Sequence, residues 1–178
     1  MSDSTNIYSW SDSMRKSAIG IYRGQALLAF VTVLVYLLSY KALRLGVLGE
    51  TESILAEFTQ GTIYLAPLMV VMFALAPIVI GRSLQKRTAR DYLNGLENQN
   101  RYLGTPLTFA ISVSVTTFLL YGGLTGSILF LAGKQSYGLG DLTIFLAAIP
   151  ITVAIACPIG LLVFRSINTQ LDILKAQI

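Results

Sequence analysis

Four stretches of this chain contain no charged residue: Gly24–Tyr40, Phe58–Gly81, Tyr102–Gly133 and Leu142–Phe164. A helix over each, at about 1.5 Å per residue, approaches or exceeds the ~30 Å hydrocarbon thickness of a bilayer. A soluble core helix of such length shows a charged face, and these show none. Inside a bilayer the helix satisfies every backbone group within its own segment. The pattern predicts an all-α, polytopic membrane protein with four transmembrane helices.

Composition narrows the function classes. Charged residues make up 12% of the chain and hydrophobic residues 54%, whereas a soluble domain carries about 25% charge. A length of 178 residues suits one membrane domain and leaves no room for a separate soluble catalytic domain. The chain has no histidine, which excludes histidine-ligated haem, histidine metal sites and histidine proton relays. Its single cysteine, Cys157, cannot form an intramolecular disulfide and reads as a small packing residue. No phosphate loop, Cys-x-x-Cys or serine–histidine pair is present. The expectation is a protein that is not an enzyme and needs no cofactor or metal.

The charges outside the spans predict an orientation. Arg15, Lys16, Arg23, Arg82, Lys86, Arg87, Arg90, Arg101, Arg165 and Lys175 flank one side, and Lys41, Arg44 and Lys134 the other. The positive-inside rule then puts both termini and the middle connection in the cytoplasm, of a plasma or inner membrane. Lys41 and Arg44 lie just past a short first span, so they are expected to snorkel outward. Met1 to Tyr22 lack a signal-peptide pattern, so the first span is read as retained.

Three units follow: a cytoplasmic segment 1–23 with an amphipathic helix, a four-helix transmembrane domain 24–165, and a cytoplasmic amphipathic tail 166–178. In the first, Ile7, Trp10, Met14, Ala18 and Ile21 recur at helical spacing among polar residues. This segment either lies along the membrane surface or extends the first span. In the tail, Ile167, Leu171, Leu174 and Ile178 form a seam for a partner or for the bundle's own end. Span two is expected to continue past Gly81 as far as Asn94-Gly95. Asn98–Asn100 and Gly104-Thr105-Pro106 read as a turn, with Pro106 opening span three.

The second half resembles the first. At an offset of 81 residues, Thr62-Ile63-Tyr64-Leu65-Ala66 aligns with Thr143-Ile144-Phe145-Leu146-Ala147, and Pro77-Ile78 with Pro158-Ile159. The alternatives are a duplicated helical hairpin and chance similarity between apolar helices.

Several features are candidates for function. Pro67, Pro77, Pro150 and Pro158 would kink spans two and four, as elements of a cavity or hinge or as packing features. Thr105, Thr108, Ser112, Thr116, Gly123 and Gly126 fall near one face of span three, and Gly122 with Gly126 makes a small-xxx-small pair. Such a stripe serves close helix packing or lines a path for solute. Arg82, Lys86, Arg87 and Arg90 suit anionic lipid headgroups or an acidic partner, and no specific nucleic-acid binding is predicted. No charged residue lies in the middle of a span, which argues against ion-coupled transport, voltage sensing and intramembrane acid–base catalysis. Two functions remain. One is a non-enzymatic integral subunit of a larger membrane assembly, such as a secretion, conjugation or energy-converting complex, packed against other subunits or copies of itself. The other is a small homo-oligomeric transporter or channel with a passive pore.

Overall fold

The computed structural model of the chain describes residues 10–48, 54–85, 89–103, 105–123 and 139–177. Every element among them is a helix: α1 (Asp12–Leu48), α2 (Ile54–Gln85), α3 (Ala89–Leu103), α4 (Pro106–Thr117) and α5 (Leu139–Ala176). A π-helical turn, Phe118–Gly122, continues α4. Two helices are long and apolar enough to cross a membrane, over Asp12–Gly46 and Leu142–Ala176. The apolar parts of the other two, Ala66–Arg82 and Pro106–Gly122, are shorter.

Antiparallel pairing of α1 and α5 along their whole length organises the bundle. At one end Tyr36 and Tyr40 bury against Phe145 and Ala148. Midway, Leu28 packs with Phe164. At the other end Met14, Ala18 and Ile21 pack with Ile167, Leu171 and Leu174, and Gln177 Nε2 donates to Ser13 Oγ at 2.8 Å. Both ends of the described chain therefore lie together. The buried face of α5 changes character along its length. Ala148, Thr152, Ala156 and Gly160 recur every four residues and are buried. Beyond them the buried residues are large: Phe164, Ile167, Leu171 and Leu174.

Two glycines set how closely the helices approach. A Cβ on Gly24 would lie 2.9 Å from Ile167 Cγ1, and one on Gly160 would lie 3.0 Å from Pro106 Cβ and 3.6 Å from Leu28 Cδ1. Gly160 is thus where α1, α4 and α5 meet. Because Gly24 also faces Val163, Arg23 and Arg165 sit at one level of the bundle.

Both amphipathic extensions are parts of this pair. From Asp12 the segment preceding span one runs into α1 without a break, and Ile167, Leu171 and Leu174 of the tail seam bury in the bundle's own end; Ile7 and Ile178 lie outside the described residues. A third helix joins them there. α3 runs straight through Asn94-Gly95 and Asn98–Asn100, where the sequence predicts a stop and a turn. The reason is tertiary burial: Tyr92 and Leu96, one turn apart, sink into the cluster of Met14, Ile21, Ile80 and Leu174. The Trp10 ring meets Tyr92 edge to face at 5.2 Å. Burial of this kind outweighs the roughly 1 kcal/mol that one interior glycine costs a helix. Lys175 Nζ pairs with Glu97 Oε1 at 2.8 Å. That hydrogen bond, with the Glu97 charge, holds the lysine pKa above its ordinary value. The lysine's part in the pair is present at neutral pH and is lost as pH rises through the raised value.

α4 begins at Pro106, as the sequence predicts, behind a reciprocal cap. Thr108 N–H donates to Thr105 Oγ1, and Thr105 N–H donates to Thr108 Oγ1, each at 3.2 Å. α4 runs parallel to α1, with Phe109 beside Leu28 and Tyr121 beside Tyr40. A two-fold axis exchanging the hairpins would pack α2 on α4 just as α5 packs on α1. Instead α2 packs on α1 and has no comparable interface with α4 among the described residues. The packing lends the duplicated hairpin no support.

Gly160→Ala and Gly24→Ala should each lower stability by about 1–3 kcal/mol, because the added methyl has no room. Gly46→Ala, with nothing within 4 Å of the new carbon, should be neutral or stabilising. Thermal unfolding in one detergent checks all three. Truncating the buried Ile167 to Ala should cost about 2–5 kcal/mol in the same assay.

Candidate functional site

The hydroxyl groups of α4 divide between two faces. Thr108, Ser112 and Thr116 are exposed on the isolated chain, while Ser114 and Thr117 are buried. The buried hydroxyls are satisfied locally. Ser114 Oγ donates to Ala110 O and Thr117 Oγ1 to Val113 O, both at 2.7 Å. Thr32 does the same to Leu28 O at 2.8 Å and Thr152 to Ala148 O at 2.7 Å. A hydroxyl bonded one turn back on its own helix can be buried among apolar groups without a partner helix. These four are therefore compatible with a dry interior. The predicted stripe faces outward, where lipid or another chain would meet it.

The glycines of span three are likewise not the tight points. Gly122 is half-buried, with the Phe118 ring 3.8 Å from where its Cβ would be, and Gly123 is exposed with open space around it. Gly126 lies outside the described residues. The close approach is at Gly24 and Gly160 instead. A sequence signal for it exists: Ala148, Thr152, Ala156 and Gly160 form a small-residue ladder in span four. Small residues let backbones approach where lipid removes the hydrophobic drive between helices.

Pro67, Pro77, Pro150 and Pro158 are all exposed. Their rings point away from the α1–α5 seam. Arg82 and Arg90 are exposed at the end that also carries the two described termini, and Lys86 and Arg87 lie outside the described residues. Cys157 is half-buried and free.

The other end carries an aromatic cluster. Tyr40 stacks on Phe145 at 4.2 Å, and Tyr121 and Phe118 approach Phe145 at 6.1 and 6.2 Å. The buried Tyr36 hydroxyl donates to Phe145 O at 3.1 Å. The π-turn supplies Phe118 and Tyr121 to this cluster. Arg44 meets the tyrosine one turn back on its own helix. Its Nη1 donates to Tyr40 Oη at 3.3 Å, and its guanidinium carbon lies 5.8 Å from the Tyr40 ring centre. A cation over an aromatic face gains favourable electrostatics from the ring.

Such an arrangement is suited to holding helices in register and presenting apolar faces. Among the described residues no group of three or more histidine, cysteine, aspartate or glutamate side chains gathers in one place. Against known protein families, curated proteins and solved structures, the chain has no match.

Proposed function

We propose that this chain is a non-enzymatic integral subunit of a larger membrane assembly, crossing the membrane four times with both ends in the cytoplasm. The observation that carries this reading is the change along the buried face of α5. That face is small from Ala148 to Gly160, where it meets the larger Tyr36 and Leu28 of α1, and large from Phe164 to Leu174. The change falls at the level of Arg23 and Arg165. Small-residue packing suits a lipid surrounding, where apolar helices gain nothing by leaving solvent. Large apolar side chains suit an aqueous surrounding, where burial itself drives association. α1 and α5, at 37 and 38 residues, are about 55 Å long, far longer than the ~30 Å hydrocarbon they need to cross. The excess beyond the arginine level would be the cytoplasmic end.

Burial supports the same reading. Only 28% and 22% of the most apolar windows of α1 and α5 are buried, so neither behaves as the core helix of a soluble protein. Leu68, Val70, Val71, Ile78 and Val79 on α2, and Leu107, Ile111, Leu119 and Leu120 on α4, are exposed on the isolated chain. These faces are where lipid, other subunits or further copies of the chain would sit. α2 is 32 residues long in all, and the uncharged stretch of span three extends to Gly133, which supports four crossings. Arg82 and Arg90, with Lys86 and Arg87, would meet anionic headgroups at the cytoplasmic surface. The passive-pore alternative draws on Thr108, Ser112 and Thr116, which would line a path only where copies meet.

Purification from the native membrane in mild detergent should yield a stable hetero-complex. A closed homo-oligomer that passes solute in liposomes would overturn the subunit reading in favour of the pore. In a Cys157→Ser background, single cysteines at Gly46 and Leu142 should label from outside, and at Asn94 and Gln177 from the cytoplasm. Labelling of Gly46 and Asn94 from the same side would refute the four-span topology.

A further inference from the structure

A proline inside a helix has no N–H for the carbonyl four residues before it. In α2, Pro77 therefore deprives Phe73 of its helical donor. An unmet carbonyl in apolar surroundings is costly, and kinked membrane helices persist where a neighbour supplies the missing bond. Here the donor comes from α1. Arg23 Nη2 donates to Phe73 O at 3.2 Å, and its guanidinium carbon lies 5.7 Å from the Phe73 ring centre. A charged donor makes a stronger bond than the neutral amide it replaces. Arg23 Nε is enclosed and has no hydrogen-bond partner among the described residues, so it adds nothing to the hold on α2.

We infer that Arg23 is a latch: it stands in for the backbone donor that Pro77 lacks, and so fixes the angle at which the part of α2 before Pro77 runs along α1. The part after Pro77 is held independently, because Ile80 buries in the cluster of Met14, Ala18 and Leu174. Before it, Ala76 is buried and Arg23 holds Phe73 O. Pro77 itself is exposed, and α2 packs chiefly on α1. Beside the latch, the Tyr22 hydroxyl approaches Met72 Sδ at 3.8 Å, a weak contact for a sulfur acceptor. The phenylalanine carbonyl is therefore the point where the basic flank of α1 holds the part of α2 before Pro77. This device does not depend on which way the chain faces in a membrane or on what it assembles with.

A double-mutant cycle on the full chain tests it. Arg23→Met should lower the unfolding temperature by about 2–6 °C, the scale of one charge-assisted hydrogen bond in a chain of this size. Pro77→Ala restores an N–H to Phe73 O, so Arg23→Met in that background should lose most of its effect. Equal losses in both backgrounds would show that Arg23 acts only by packing, and would overturn the latch. Should Pro77→Ala not fold, Phe73→Leu keeps the carbonyl and removes the ring. The Arg23→Met loss should then persist, and its disappearance would overturn the inference. Spin labels at Leu68→Cys and Leu162→Cys, both well exposed, in Cys157→Ser report the angle. Their distance distribution should broaden or shift with Arg23→Met, and an unchanged distribution would overturn the inference.

Discussion

Tight packing of α1 against α5 is the centre on which α2 and α4 also pack. α1 and α5 lie antiparallel from the aromatic cluster at Tyr40 and Phe145 to the hydrogen bond between Gln177 and Ser13. Gly24 and Gly160 are the places where no side chain could be added without moving a neighbour. Gly160 also receives Pro106, so the start of α4 is fixed by the same contact. α2 lies on α1, and α3 closes the end at which Ile80, Leu171 and Leu174 converge.

Polar groups follow a similar economy. Inside the bundle, Thr32, Ser114, Thr117 and Thr152 bond to carbonyls of their own helices, so these four need no partner across the interior. The interhelical bonds made by α1 side chains in the apolar part go largely to backbone carbonyls. Arg23 reaches Phe73 O, the carbonyl that Pro77 frees, and Tyr36 reaches Phe145 O, next to the carbonyl that Pro150 frees. α1 is thus both the packing centre and the source of donors for the two proline-bearing helices.

Some of this was legible in the residues. The spacing of Met14, Ala18 and Ile21, and of Ile167, Leu171 and Leu174, marks two apolar faces, and both are buried. Pro106 marks the start of α4 because its ring fits the first helical turn. Other features were not legible. Asn94-Gly95 and Asn98–Asn100 look like helix ends, because local propensity carries no information about the cluster into which Tyr92 and Leu96 sink. The α4 hydroxyls recur at both candidate faces, so periodicity alone could not say that Ser114 and Thr117 turn inward while Ser112 and Thr116 turn outward. The ladder from Ala148 to Gly160 is present in the sequence, but no local pattern separates it as a contact face from the glycines of span three.

The sequence by itself determined that the chain is helical, that its charges cluster outside long apolar stretches, and that both ends carry an amphipathic face. These are properties of composition and period, which a helix displays whatever surrounds it. Only the tertiary structure decided which small residues are contact points, which hydroxyls are enclosed, and that Arg23 meets the carbonyl left by Pro77. Each of those depends on the approach of segments dozens of residues apart, and on backbone groups whose partners no local pattern can name.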